Sequence, residues 1–182
     1  MKLLIGLAGG IGSGKSSVAD FLHKKYGAER LRFSKILSDV LERLDLPRDR
    51  RNLQVLGEVL RKSFGGNVIV DAFARDLEGC TADVVVVDGI RFENEVAMLR
   101  KFENNVLIYV DASPRVRYMR SVDRGERGEE AKSFEEFMES ENMATERNLP
   151  QIEKAADHVI LNEGTAEELY GKVESVLRDK LN

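Results

Sequence analysis

Cysteine is almost absent from this 182-residue sequence: Cys80 stands alone, which excludes a disulfide framework within the chain and any cysteine zinc cluster. Histidine is nearly as scarce, and His23 and His158 have no ligand-spaced partners, so a histidine metal centre is not expected. No apolar run approaches the roughly 20 residues that cross a bilayer, so no membrane segment is expected. Met1 leads directly into the first apolar stretch, so no signal peptide is expected and the expected location is the cytoplasm. Neither repeats nor low-complexity stretches stand out. The formal net charge of −4, with 33% charged residues, argues against broad nucleic-acid binding. What remains is the length and composition of one α/β domain with a full core.

What is present is concentrated at the start. Leu3, Leu4, Ile5 and Leu7 form the short apolar run of a strand buried on both faces. Gly9, Gly10, Gly12 and Gly14 follow, interleaved with Ile11 and Ser13, then Lys15, Ser16 and Ser17, and Val18, Phe21 and Leu22 recur at helical spacing. Gly9, Gly14, Lys15 and Ser16 fit G-x-x-x-x-G-K-[ST]. The residue types follow from the ligand: converging backbone N–H groups wrap a polyphosphate only where side chains do not intrude. The next helix points its positive end at the anion, Lys15 adds a full charge, and the Ser16 hydroxyl is a hard ligand for Mg²⁺. The stretch from Gly9 to Ser17 is read as a nucleoside-triphosphate cradle.

Along the chain, strands and helices alternate. Glu29–Phe33 reads as a short strand with Leu31 and Phe33 alternating against charges, and Ser34 as the cap of a helix to about Leu44. Asp49 caps the next helix, whose face is Leu53, Leu56, Leu60 and Phe64; Asn67–Leu77 is a third helix. Ala82–Val87 is a strong strand that ends at Asp88 and Gly89, where a second acid is expected to hold Mg²⁺. Arg91–Glu103 is helical, Val106–Val110 a strand, and a helix runs from Pro114 to about Val122. The glycine- and charge-rich stretch 120–133 reads as a lid, with Arg120 and Arg124 one helical turn apart. A helix through Phe134, Phe137 and Met138 is expected to continue to about Arg147, and Pro150 to interrupt the chain. Ala156–Leu161 is a last strand, and Thr165 caps a helix with Leu169, Val173, Val176, Leu177 and Leu181 on one face. Five strands alternating with helices imply a parallel sheet covered on both faces.

Leu7–Leu22 is similar to the opening of dephospho-CoA kinases and their archaeal relatives. Val85–Val96 (VVVDGIRFENEV) resembles a turn of that archaeal family and a segment of deoxynucleoside monophosphate kinases, and Asn52–Leu77 is similar to the acceptor-side helices of both. The whole chain thus resembles a P-loop small-molecule kinase of the nucleoside monophosphate kinase and dephospho-CoA kinase group. The resemblance implies an α/β P-loop NTPase three-layer sandwich with a five-stranded parallel sheet, an acceptor-side helical region over about 34–78, and a lid. It implies ATP and Mg²⁺, with Ser16 and Asp88 as metal ligands and Lys15, Asp88, Arg120 and Arg124 as catalytic groups. Asn162 and Gly164 are expected near the adenine beside Arg120. Ser34, Arg61, Arg75 and Arg91 are expected to receive a small nucleotide-type acceptor, either a nucleoside or deoxynucleoside monophosphate or dephospho-CoA. Where dephospho-CoA kinases carry an aspartate after the second strand, this chain reads Phe33-Ser34-Lys35. A GTPase switch would show Asn-Lys-x-Asp and Asp-x-x-Gly; here Asp88 is followed by Gly89-Ile90-Arg91.

Overall fold

The computed structural model describes residues 2–123, 133–141 and 147–181. The strands are β1 (Leu3–Ala8), β2 (Glu29–Leu31), β3 (Val84–Ile90), β4 (Asn105–Asp111) and β5 (His158–Leu161), in the order β2-β3-β1-β4-β5. Every neighbouring pair is parallel. β1 is the central strand, so the glycine loop that follows it opens midway along the edge of the sheet.

Strand geometry divides the core into two. Side chains alternate across a strand, so Leu4 and Ala8 face one side with Val85, Val87, Leu107 and Tyr109, while Leu3, Ile5 and Leu7 face the other with Val86, Val106, Ile108 and Val110. α2 (Phe33–Arg43), α4 (Val68–Gly79), α5 (Glu93–Leu99) and α8 (Leu149–Ala155) pack on the first face. α1 (Lys15–Tyr26) and α9 (Ala166–Leu181) cover the second. α3 (Arg50–Phe64) packs on α2 and α4, and α6 (Pro114–Asp123) on α7 (Phe134–Glu141). Leu4, Ile5 and Leu7 are wholly buried, and truncating any one to alanine costs roughly 2–5 kcal/mol.

The expected three-layer α/β sandwich with a five-stranded parallel sheet is therefore present. Asp49 caps α3, accepting from the Asn52 N–H at 2.8 Å. Thr165 caps α9: its Oγ1 accepts from the Glu168 N–H at 3.3 Å while the Glu168 carboxylate accepts from the Thr165 N–H at 3.2 Å.

Several boundaries differ from expectation. β2 stops at Leu31 and Phe33 opens α2, because its ring enters the core against Phe73, 4.1 Å between centroids. Arg32 stands at the N-cap position instead of Ser34, which is exposed in the first helical turn. β3 does not end before Asp88: the pairing shifts register between Leu7 and Ala8, Gly89 takes φ +86°, and Ile90 re-enters the core. Phe64 does not join the inner face of α3 and is 71% exposed at its last turn. Pro150 starts rather than interrupts an element, lying in the first turn of α8, where a missing N–H leaves no bond unmade. Cys80 closes α4, half-buried, and its thiol donates to Glu29 Oε2 at 3.1 Å.

Candidate functional site

The loop between β1 and α1 is shaped by what crowds it. At Gly12 (φ +74°) a Cβ would lie 2.3 Å from the Arg117 carbonyl oxygen, and at Gly14 (φ +110°) 2.4 Å from the Asn162 amide nitrogen. Neither position can carry a side chain, which is why glycine recurs here. Ser13 between them is wholly buried, and its carbonyl accepts from Asn162 Nδ2 at 2.8 Å. The Lys15 ammonium lies inside the loop, 2.6 Å from the carbonyls of both Gly9 and Gly10 and 3.4 Å from Ser13 Oγ. Ile11, Ser16 and Ser17 are half-buried around it. Polar groups from Gly9 to Ser17 are thus gathered on one turn at the N-terminus of α1.

On one flank stands Asp88, 8% exposed. Its Oδ2 accepts from Arg30 Nη2 at 2.6 Å, Arg30 Nε at 3.0 Å and Arg32 Nε at 2.8 Å. Arg30 also donates from Nη2 to Ser16 Oγ at 3.0 Å and from Nη1 to Asp20 Oδ1 at 2.8 Å. Burial alone would push the Asp88 carboxyl up, but the two guanidinium groups outweigh it and hold the pKa below the ordinary carboxylate value. Arg30 and Arg32 were not among the residues expected from sequence. Their signal was the period-two pattern of 29–33, which puts both on one side of a strand running parallel beside β3.

On the other flank, Arg120 donates from Nη1 to the Asn162 carbonyl at 3.0 Å and from Nη2 to the Gly164 carbonyl at 3.3 Å. The Asn162 N–H donates to the Asp111 carbonyl at 2.7 Å, and Ser113 Oγ donates to Glu163 Oε2 at 3.0 Å. Arg120, Asn162 and Gly164 therefore come together beside the glycine loop. Arg124 and most of the expected lid lie outside the described residues.

The expected acceptor residues are only partly assembled. Arg61 on α3 lies over the Phe92 ring, its Cζ 4.3 Å from the centroid. Glu95, 3% exposed, accepts from the Arg91 N–H at 2.7 Å and the Phe92 N–H at 3.2 Å. Burial raises the Glu95 pKa to about 7, against the lowering effect of those two N–H groups and of Arg61 and Arg91. The same burial lowers the pKa of Arg61, with Glu95 opposing. Arg61, Arg91 and Glu95 thus form one cluster, whereas Ser34 and Arg75 are exposed and outside it. Glu95 was missed from sequence because an acid near a helix start reads as an ordinary cap.

The fit for Mg²⁺ can be tested on these atoms. Ser16 Oγ and Asp88 Oδ2 both lie within hydrogen-bond distance of one nitrogen, Arg30 Nη2. Two hard oxygens that converge on one cationic atom are suited to a cation coordinated also by phosphate and water oxygens. The residues fit: Ser16 and Asp88 could hold Mg²⁺ at the position that the Arg30 guanidinium occupies here. Among the described residues no group of three or more His, Cys, Asp or Glu could hold a metal by itself. None of their helices is long and apolar enough to cross a membrane.

A five-stranded parallel sheet with a glycine loop after its central strand is the P-loop NTPase fold, and solved structures share it. TT1252 from Thermus thermophilus superposes with a TM-score of 0.63 at 22% identity, covering 98% of this chain and 97% of that one. A shikimate kinase from Acinetobacter baumannii in complex with shikimate gives 0.61 at 17% identity, covering 100% and 97%. In sequence, the UPF0200 protein of Hyperthermus butylicus is 30% identical over 176 residues, 97% of this chain and 94% of its own length. UPF0200 protein MJ1399 of Methanocaldococcus jannaschii is 30% identical over 182 residues, 99% and 91% respectively. Residues 5–149 match the AAA_18 family, described as an AAA domain. The chain belongs to the UPF0200 family and carries the AAA_18 domain. These two relatives are not named as dephospho-CoA kinases, so that part of the resemblance stays an expectation about the acceptor.

Proposed function

We propose that this protein transfers the γ-phosphoryl group of ATP to a small nucleotide-type acceptor, a nucleoside or deoxynucleoside monophosphate, with dephospho-CoA as the rival. The observation that carries this reading is the convergence of Lys15, Ser16 and Asp88 at the tips of β1 and β3, flanked by arginines on both sides. N–H groups of Gly9–Gly14 hold the β-phosphate and Lys15 neutralises β- and γ-oxygens. Ser16 and Asp88 hold Mg²⁺, which when bound neutralises charge on the β- and γ-oxygens. Arg120, with Asn162 and Gly164, frames the nucleotide base, and Arg120 and Arg124 meet charge on the transferred group when the lid closes. Arg91 and Arg61 orient the acceptor. Closure over the site would exclude water, which otherwise competes as acceptor.

The test is ADP release measured across nucleoside monophosphates and dephospho-CoA. Release that depends on one acceptor supports the kinase; release at one rate whatever is added removes it. A second reading is favoured by the AAA description of the family: a P-loop ATPase or nucleotide-binding regulator. Single-turnover transfer from γ-labelled ATP separates the two, since an ATPase leaves all label on inorganic phosphate.

A further inference from the structure

We propose that Arg30 and Arg32 form the receptor for the acceptor's own anionic group, and that the acceptor nucleophile is a phosphate monoester oxygen, not an alcohol. This rests on the kinase reading above and names the substrate class of the same site. An alcohol acceptor needs a group to take its proton as the new bond forms. Three described carboxylates bond arginines of the site. Asp88 has one oxygen bonded by three guanidinium N–H groups, at 2.6, 2.8 and 3.0 Å. Asp20 accepts from Arg30 at 2.8 Å and lies out toward solvent. Glu95 is 3% exposed and held by the N–H groups of Arg91 and Phe92 at the start of α5. Were Ser16 and Asp88 to hold a cation in place of Arg30, Arg32 would still bond the same carboxylate oxygen at 2.8 Å, so it would be no freer to accept a proton.

The same atoms suit an acceptor that is already ionised. A guanidinium offers five N–H donors in a plane, and Arg32 uses one of them, Nε, on Asp88 while its side chain is 38% exposed. Arg30 spends three donors on Asp88 and Asp20, sharing one of them with Ser16. Displacing it from the metal position frees donors at the tip of β2, beside Arg32 and the start of α2. Two guanidinium groups side by side match the charge and the paired oxygens of a phosphate dianion. In the transfer, a bond forms between an acceptor phosphate oxygen and the γ-phosphorus, and the bond from that phosphorus to the β–γ bridging oxygen breaks. ADP leaves with the electron pair, and no proton has to be removed from the nucleophile.

The experiment uses the full chain, γ-labelled ATP, and two acceptor panels: nucleoside 5′-monophosphates, and the matched nucleosides together with dephospho-CoA, which offer hydroxyls. Expected is label on at least one monophosphate, with at least a hundredfold less on every hydroxyl acceptor. Arg32→Gln should raise the KM for the monophosphate tenfold or more and leave the KM for ATP within about twofold, with Arg32→Lys recovering part of the loss. Unchanged ATP binding by the variant doubles as the check that it is folded. Comparable transfer to a hydroxyl acceptor, or a monophosphate KM indifferent to Arg32→Gln, overturns the proposal while leaving the kinase reading standing. Label on neither panel, with ATP still bound, overturns the kinase reading and this proposal with it.

Discussion

The two flanks of the glycine loop are built from different kinds of contact. On the β4–β5 side the partners are largely backbone: Arg120 on two carbonyls, Asn162 between the Ser13 and Asp111 carbonyls. On the β2–β3 side the partners are ions: Arg30 and Arg32 on Asp88, Arg30 again on Asp20. A carbonyl cannot leave its place without moving the chain. A guanidinium–carboxylate pair can exchange one member for another ion of the same sign. On the proposed reading, the part of the nucleotide that stays put is framed by fixed backbone, and the part where metal and phosphoryl change hands is lined by exchangeable charge.

The comparison breaks most visibly at Asp88. Asp88→Asn keeps an oxygen for Arg30 and Arg32 but removes the charge that would fix Mg²⁺. Phosphoryl transfer should fall by about 10²–10³-fold, the scale of losing one preorganised electrostatic group. Binding of metal-free ATP should change little, because the loop N–H groups and Lys15 are untouched. Rapid-quench kinetics with equilibrium titration of ATP would show the split; full activity in this variant would mean the ionic flank takes no part in the chemistry.

Next in size is the response to pH at Glu95. Its pKa rises from the ordinary 4.5 to about 7 in the fold, so between these values the folded chain holds a proton that the unfolded chain has released. Stability from this group is complete below 4.5 and is lost as pH climbs through 7, by roughly 3 kcal/mol. Glu95→Gln should remove that slope and gain on the parent between pH 5 and pH 8 in urea denaturation. Asp88 does not confuse the measurement: its depressed pKa makes its contribution complete above the ordinary carboxylate range and lost only as pH falls below it.

Much of the backbone-framed flank was legible in the sequence, and less of the ionic one. The glycine spacing and Lys15 follow from a loop whose geometry dictates residue type, whereas Asn162 and Gly164 were pointed to only by the resemblance, and their bonds to Arg120 came from the structure. Asp88 was found because a β-branched run delivered it to the strand tip, although the bulge at Gly89 was read as the strand's end: glycine at positive φ looks the same in a turn and in a bulge. Arg30 and Arg32 were passed over because a charge on a short edge strand reads as solvated until its neighbour is known. That neighbour is β3, and strand order is a property of the whole sheet. Phe33 was placed in the strand because its alternation with charges continued one residue beyond where packing against Phe73 starts the helix.

Asn162 gives the third and smaller effect. Asn162→Ala leaves the buried Ser13 carbonyl without its amide partner, a loss of about 1–3 kcal/mol in unfolding free energy. Because that carbonyl belongs to the loop, ATP affinity should fall together with stability. Thermal melts with and without ATP test the coupling; a variant that lost stability and kept full affinity would show that the β5 loop braces the fold without shaping the cradle.

The smallest effect is expected at Arg75, and it sharpens where the ionic flank ends. Ile69, Phe73 and Leu77 recur every four residues on the buried side of α4, and Arg75 sits two positions past Phe73, about 200° around the helix. It is exposed, whereas Arg61 on the neighbouring helix is half-buried against Phe92. Arg75→Ala should shift stability by less than about 0.5 kcal/mol, as surface changes away from packed features do. The KM for the acceptor should stay within twofold, while Arg61→Ala, which strips the Phe92 face and leaves Glu95 with one fewer neutralising charge, should raise it severalfold. If the exposed arginine proved the costlier of the two, the acceptor would have to be bound across the outer surface of α4, and the cluster of Arg61, Arg91 and Glu95 would be packing instead of recognition.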